Sequence, residues 1–127
     1  VFSFEALKKA VTDKNQLFLV AVEGQTLMGF AQTVRQSKET AELDRIFLLP
    51  EYTGKGVGTQ LLGAALDVLK KEGISRLTVR AGKDEKLARR FYEKNGFKLV
   101  QETTIRAPWG RELSLAIYEL RIMKNEQ

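Results

Sequence analysis

The sequence predicts an α/β (α+β) fold: a mixed, mostly antiparallel central sheet flanked by helices. Its 127 residues are 43% hydrophobic and 29% charged, which is typical of one soluble globular domain. Short runs rich in β-forming residues alternate with two longer segments of helical periodicity. One of these helices lies between two strands, in residues 41–80, and such a unit closes as a right-handed parallel crossover. We therefore treat residues 1–127 as a single domain.

A short helix is the first predicted element, over residues 4–11. Ser3 precedes it and can serve as the N-cap. Four side chains recur at helical spacing, namely Phe4, Leu7, Lys8 and Val11.

Three strands follow in the first half of the chain. Residues 17–22 and 27–34 are apolar and are separated by Glu23-Gly24-Gln25, which indicates a hairpin turn. Residues 41–49 form the third strand. It ends at Pro50, which has no amide hydrogen for a strand ladder.

Two helices and three strands make up the second half. The first helix begins at Val57 and ends at residues 70–73, and its apolar stripe comprises Val57, Leu61, Leu62, Ala65, Leu66, Val68 and Leu69. A strand over 74–80 precedes a second amphipathic helix over 84–95, whose inward residues are predicted to be Leu87, Ala88, Phe91 and Tyr92. Strands over 97–105 and 113–122 form an antiparallel pair, because Pro108-Trp109-Gly110 provides the turn.

The composition excludes several kinds of chemistry. The chain has no Cys and no His, so disulfides, thiol nucleophiles, His-based triads and nearly all catalytic transition-metal sites are absent. Proton transfer must therefore use carboxylates, Tyr, Lys or water. The longest apolar run, residues 17–22, is far shorter than the ~20 residues that span a bilayer. With no signal peptide visible, we expect a cytoplasmic protein without a membrane partner.

The excess of five positive charges lies entirely after Pro50. This asymmetry indicates either an anionic ligand in that half or a solvated basic surface. A basic nucleic-acid-binding domain is a third hypothesis. It lacks support, because no helix-turn-helix, zinc finger or exposed aromatic run is present, and we expect no nucleic-acid partner.

A glycine loop lies between the third strand and the following helix. Gly54, Gly56 and Gly58 stand at alternate positions, which leaves backbone amides free to bind a phosphate at the helix N-terminus. A P-loop would need Ser or Thr after Lys55, and a dinucleotide loop would need glycine in place of Thr59. The alternative is a tight turn that only requires glycine's backbone freedom.

Two segments together resemble the GCN5-related N-acetyltransferase (GNAT) superfamily. They are Gly54-Lys55-Gly56-Val57-Gly58 followed by Leu61-Leu62, and Ala88-Arg89-Arg90-Phe91-Tyr92-Glu93-Lys94-Asn95-Gly96-Phe97. The resemblance implies that acetyl-coenzyme A binds as cosubstrate, without a metal, where the parallel strands splay apart. It implies that the loop holds the pyrophosphate through Gly54, Lys55, Gly56, Val57, Gly58 and Thr59, and that Ile46, Phe47 and Leu48 bind the pantetheine arm through their main chain. Thr53 departs from the usual Arg or Gln at the first loop position.

The same resemblance implies roles for three further residues. Tyr92 matches the general acid that protonates the coenzyme A thiolate, although core packing beside Phe91 is the alternative. Glu42 matches a catalytic base of some protein acetyltransferases, and by strand alternation it would share a face with Asp44, Ile46 and Leu48. Pairing of Glu42 with Arg45 or Arg35 on the surface is the alternative. Glu85 stands in place of an Asn that commonly contacts the cofactor, and it is the predicted cofactor contact at this position.

The resemblance implies direct attack of a primary amine on the thioester. The segment Leu43-Asp44-Arg45-Ile46-Phe47 is similar to that of bacterial polyamine-type members and favours a small amine, while protein N-terminal or lysine acceptors and a non-catalytic coenzyme A-binding module remain alternatives. Another subset of the superfamily, the ribosomal-protein Nα-acetyltransferases, carries a Glu where this chain has Arg80, so their arrangement is not supported. Trp109 lies on the turn and could line the acceptor pocket.

The first strand and helix of the superfamily are not found in residues 1–127. We therefore expect residues 17–22 to form an open sheet edge, and such an edge favours self-association as a homodimer or coverage by a longer native chain.

Overall fold

The computed structural model describes residues 3–8 and 15–122, which form a seven-stranded sheet in the order β1-β2-β3-β4-β5-β7-β6. The strands are β1 (Ser3–Lys8), β2 (Gln16–Glu23), β3 (Thr26–Arg35), β4 (Thr40–Leu48), β5 (Arg76–Gly82), β6 (Lys98–Arg106) and β7 (Glu112–Arg121). Only β4 and β5 are parallel, and all other neighbours are antiparallel. The mixed, mostly antiparallel sheet is confirmed.

The predicted helix over residues 4–11 is wrong over the residues that the structure describes. Residues 3–8 form β1, which pairs with β2 from Ser3 opposite Val22 to Lys8 opposite Leu17. The rest of the predicted helix, residues 9–11, lies outside the described residues. The predicted open edge at residues 17–22 is also wrong, because β1 occupies it.

Two helices pack on the same face of the sheet. The first, α1 (Val57–Lys71), contacts β2, β3 and β4 and buries Val57, Leu61, Leu62, Ala65 and Leu69 as predicted. The second, α2 (Lys86–Lys94), begins two residues later than expected. Leu87, in its first turn, is 81% exposed rather than inward as predicted, whereas Tyr92 is buried.

The opposite face of the sheet carries no helix within the described ranges, and we call it the helix-free face. Strand register and burial place on it Phe18, Phe30, Glu42, Phe47, Arg80 and Ile117. Phe18 and Phe30 stack at 5.0 Å between ring centroids, and Phe30 lies 5.8 Å from Phe47. An aromatic strip therefore crosses β2, β3 and β4 on this side.

No helix in the described part of the chain is long and apolar enough to cross a membrane.

Candidate functional site

A cleft opens between β4 and β5. The two strands pair only over Thr40, Ala41 and Glu42 with Arg76, Leu77 and Thr78, although β4 continues to Leu48 and β5 to Gly82. On its other side β4 stays paired with β3 as far as Leu48. Beyond Glu42, the β4 backbone groups that face β5 therefore lack a strand partner. The predicted splay of the parallel strands is confirmed.

A β-bulge at Asp44 follows directly on the last β4–β5 pair. Thr33 lies opposite Leu43 and Gln32 opposite Arg45, so Asp44 has no counterpart on β3. A bulge bends its strand and reverses the alternation of side chains beyond it.

The predicted shared face of Glu42, Asp44, Ile46 and Leu48 is consequently wrong. Glu42 lies on the helix-free face together with Phe47, whose side chain is about half exposed. Ile46 and Leu48 instead pack against the core on the helix side.

The glycine loop begins α1 at the mouth of this cleft. Gly54 and Gly56 have φ values of 74° and 82°, in the left-handed region that glycine adopts without strain. Gly56 is the N-cap, and its carbonyl accepts a 3.1 Å hydrogen bond from the amide of Gln60. The amides of residues 57–59 precede that bond and have no acceptor within the helix. Free amides at the positive end of a helix dipole favour a negative charge, and we call these three amides the anion seat.

Gly58 has a different role, which is close packing. A Cβ at this position would lie 3.1 Å from Cε1 of Phe91 and 3.3 Å from Cδ1 of Leu48. Glycine therefore allows α1, the end of β4 and α2 to meet. This contact joins the two segments that resemble the GNAT superfamily.

Three side chains border the loop. Lys55 and Thr59 are exposed beside the anion seat. Thr53, at the position where the superfamily has Arg or Gln, donates its hydroxyl to the Pro50 carbonyl at 2.8 Å. The Thr53 side chain thus closes the preceding turn.

Tyr92 combines a buried ring with an accessible hydroxyl. Its ring packs against Phe91, Phe97 and Tyr118 at centroid distances of 5.7, 5.5 and 6.1 Å. The hydroxyl makes no hydrogen bond with the described residues. Among those residues, every side-chain polar atom without a hydrogen-bond partner keeps some contact with solvent, so the Tyr92 hydroxyl does too. Burial, followed by the negative charge of Glu85, raises the pKa of Tyr92. The phenol is therefore protonated at neutral pH, as a proton donor must be.

A partly buried network that the sequence did not predict fixes α2 against β7. The Tyr118 hydroxyl donates to Oε2 of Glu93 at 2.7 Å and accepts from Nε of Arg89 at 2.8 Å. Arg89 also donates to the Lys83 carbonyl at 2.9 Å. Burial raises the pKa of Tyr118, against the opposing effect of the Arg89 hydrogen bond. The signals available in the sequence were the spacing of Arg89 and Glu93 on one helix face and the inward alternation on β7.

Glu42 pairs with Arg80 rather than with Arg45 or Arg35. Nε of Arg80 lies 2.8 Å from Oε2 of Glu42, and Nε2 of Gln36 donates to Oε1 at 3.3 Å. Arg45 instead lies 3.7 Å from Asp44. Both carboxylate oxygens of Glu42 are therefore engaged at the point where β4 and β5 separate.

The carboxylate of Glu85 closes the turn before α2. Its Oε1 accepts the amide of Gly82 at 2.8 Å, and Glu85 itself is exposed at the N-cap of α2. Its replacement of the family's Asn therefore has a structural use in this chain, and its contact with a cofactor stays a prediction.

A second concavity lies at the other end of the parallel pair. It is an open, polar depression of about 570 Å³, lined by Ser37, Glu39, Thr40, Ser75, Arg76, Arg121 and Ile122. Thr40 and Arg76 begin the β4–β5 pairing, so the depression and the cleft lie at opposite ends of these strands. Among the described residues, no group of three His, Cys, Asp or Glu could hold a metal ion.

Comparison with known proteins decides the family. The model of the acetyltransferase (GNAT) family matches residues 2–97. The chain belongs to this family.

Related GNAT proteins act on different acceptors. The chain is 40% identical over 83 residues to a spermidine N(1)-acetyltransferase of Thermoplasma acidophilum, covering 65% of this chain and 51% of that protein. It is 37% identical over 101 residues to the [ribosomal protein bS18]-alanine N-acetyltransferase of Haemophilus influenzae, covering 78% and 66%. The chain thus spans about half to two thirds of the length of these relatives.

Solved GNAT structures share the fold. The PaiA N-acetyltransferase of T. acidophilum in complex with coenzyme A is 33% identical, with a TM-score of 0.70 over 84% of this chain and 61% of that one. The ribosomal-protein-S18-alanine N-acetyltransferase of Escherichia coli is 20% identical, with a TM-score of 0.81 over 100% and 97%.

Proposed function

We propose that this GNAT chain transfers the acetyl group of acetyl-coenzyme A to a primary amine by direct attack. One observation carries the proposal: the β4–β5 cleft opens beside the free amides at the start of α1. A ligand with an extended polar arm and a phosphate group fits both features at once.

The residues present suit acetyl-coenzyme A. The amides of residues 57–59 and the exposed Lys55 would hold the pyrophosphate. The unpaired edge of β4 around residues 46–48 would hydrogen-bond the amides of the pantetheine arm, as an added strand would. When bound, the cofactor supplies an acyl thioester, which is the electrophile.

Tyr92 is the proposed general acid. The neutral amine attacks the thioester carbonyl, the tetrahedral intermediate collapses, and the carbon–sulfur bond breaks. The thiolate then takes the phenolic proton of Tyr92. The ordinary pKa of a thiol is about 8.5 and that of a phenol is about 10, so the two proton affinities are close enough for the transfer. The accessible hydroxyl on a buried ring supports this role.

Glu42 is the proposed general base. Because Arg80 and Gln36 already occupy its two oxygens, it would receive the amine proton through a bridging water. Its position at the base of the cleft supports the role.

The acceptor is proposed to be a small amine, and polyamines enter as candidates through the 40% identical Thermoplasma relative. A protein N-terminus or lysine is the alternative that the Haemophilus relative suggests. A non-catalytic coenzyme A-binding module is a further alternative. It is favoured by Thr53 and Glu85, whose side chains are used within turns.

Thiol release from acetyl-coenzyme A tests the proposal, with a panel of monoamines, diamines, amino acids and peptides as acceptors. Amine-dependent release is the expected result, and calorimetric binding of acetyl-coenzyme A is the companion measurement. Binding without release by any acceptor would indicate the non-catalytic module. The absence of both would contradict the cofactor assignment.

A further inference from the structure

The helix-free side of the cleft is lined by a fixed cation. Beyond the last pair with β4, β5 consists of Val79, Arg80, Ala81 and Gly82. Val79 and Ala81 are buried in the core, and Gly82 has no side chain. Arg80 is thus the β5 side chain that a molecule entering the cleft from the helix-free face would meet.

Arg80 is positioned rather than free. Its Nε donates to Glu42, whose side chain is only 17% exposed and whose other oxygen is held by Gln36. The terminal Nη groups of Arg80 make no hydrogen bond with the described residues, and the side chain is 55% exposed. A guanidinium held through Nε keeps four N–H donors in a planar fork, which matches a carboxylate in a bidentate contact.

The surroundings of Arg80 disfavour a second cation. The carboxylate of Glu42 is mostly covered and already paired, whereas Arg80 is more than half exposed, so an ammonium group approaching from solvent would meet the guanidinium first. Ile117 lies opposite Arg80 on β7, and Phe47 lies across the cleft mouth on the same face of the sheet. These side chains provide apolar surface for the hydrocarbon part of an acceptor.

We propose that Arg80, oriented by Glu42, binds a carboxylate of the acceptor, so that the preferred acceptor is a primary amine bearing a carboxylate rather than a polyamine. This inference rests on the proposed acetyl transfer and specifies its acceptor. The carboxylate can belong to a free amino acid or to an acidic residue at the start of a peptide, and the assay separates these two sources.

Matched acceptors isolate the carboxylate. We compare kcat/KM for 4-aminobutyrate with that for 1,4-diaminobutane, for leucine with leucinamide, and for peptides that begin with Asp with those that begin with Asn. The carboxylate member of at least one pair is expected to be preferred by about tenfold or more. Preference confined to the peptide pair would assign the carboxylate to a protein acceptor.

Variants of Arg80 then test the residue itself. Arg80→Gln should bring the ratio within a pair close to one, and Arg80→Lys should retain part of it, because it keeps the charge but loses the fork. Arg121→Gln is the matched control. It makes the same charge change on β7, four positions beyond Ile117, the residue that lies opposite Arg80, and it should retain the ratio. A ratio cancels any general loss of turnover.

Two results would overturn the inference: diamine and amide acceptors used as well as the carboxylates, or a ratio that Arg80→Gln leaves unchanged. If no acceptor is turned over, the proposed function fails separately. In that case the Nε resonance of Arg80 is followed by NMR during titration with 4-aminobutyrate, with leucine and with a peptide that begins with Asp, each in the presence of coenzyme A. A shift that 1,4-diaminobutane does not cause would support carboxylate binding, and its absence would overturn it.

Discussion

Glu42, in the last residue pair between β4 and β5, lies 2.8 Å from Nε of Arg80, which is two residues beyond that pair on β5. Such a partly exposed ion pair contributes little to stability, about 1 kcal/mol or less. Its importance is positional, because it fixes a carboxylate and a guanidinium at the base of the cleft.

Thr59→Glu should weaken acetyl-coenzyme A binding by about tenfold or more without destabilising the fold. Thr59 is the third residue of α1, where a carboxylate is favourable to the helix but competes with a phosphate for the free amides. Calorimetric titration and thermal unfolding are the two measurements.

Lys71→Gln provides the control for Thr59→Glu, since it makes the same change in net charge at the other end of α1. Its affinity should stay within about twofold of the original. Equal weakening in both variants would mean that net charge, rather than the helix N-terminus, holds the cofactor.

Gly58→Ala should destabilise the protein by about 1–3 kcal/mol, because the new methyl group would press on Phe91 and Leu48. Gly63→Ala is the matched variant on the same helix, where a Cβ meets no atom within 4 Å. It should stabilise by about 0.5–1 kcal/mol through helix propensity. Urea unfolding of the two variants measures the difference, and equal effects would refute the packing role of Gly58.

The local parts of the site could be predicted from the sequence. The glycine loop, the buried face of α1 and the inward Tyr92 depend on spacing within one element, and the structure shows each of them. The helix over residues 4–11 failed because its three apolar positions, Phe4, Leu7 and Val11, cannot distinguish a helix from a strand. Pairing with β2 decides the matter in favour of a strand.

The long-range parts could not be predicted. The bulge at Asp44 becomes visible only when β4 is aligned with β3, yet it determines which side chains share a face with Glu42. Arg80 is 38 residues from Glu42 in sequence, and the parallel register brings them together. Leu87 has the helical spacing of an inward residue, but it lies in the first turn of α2 and is exposed, which spacing alone does not reveal.

Tyr92→Phe should lower kcat by about 100-fold while leaving the affinity for acetyl-coenzyme A nearly unchanged, as expected for loss of a general acid. Stopped assays of turnover and calorimetric titration measure the two quantities. If kcat falls by less than about twofold, another group or water donates the proton.

The pH profile of turnover tests the environment of Tyr92. An acid must be protonated to act, so turnover should fall as pH rises through its pKa, which burial and Glu85 place above the ordinary value of about 10. Glu85→Gln removes the smaller of these two causes and should move the alkaline fall to lower pH. An unchanged profile would show that Glu85 does not act on Tyr92.

Glu42→Gln should reduce kcat by about 100-fold, because an amide cannot take the amine proton. Glutamine retains an oxygen that can accept the Arg80 hydrogen bond, so the selectivity between matched acceptors should persist in part. A preserved kcat together with lost selectivity would leave Glu42 with a positioning role alone.

The location of the cofactor is the central claim, and amide NMR spectra recorded during titration with acetyl-coenzyme A test it most directly. The predicted shifts fall on residues 57–59 and on the unpaired part of β4, residues 43–48, with little change at Ser37, Ser75 and Arg121 around the opposite depression. Shifts centred on that depression, with α1 and β4 unaffected, would contradict the claim.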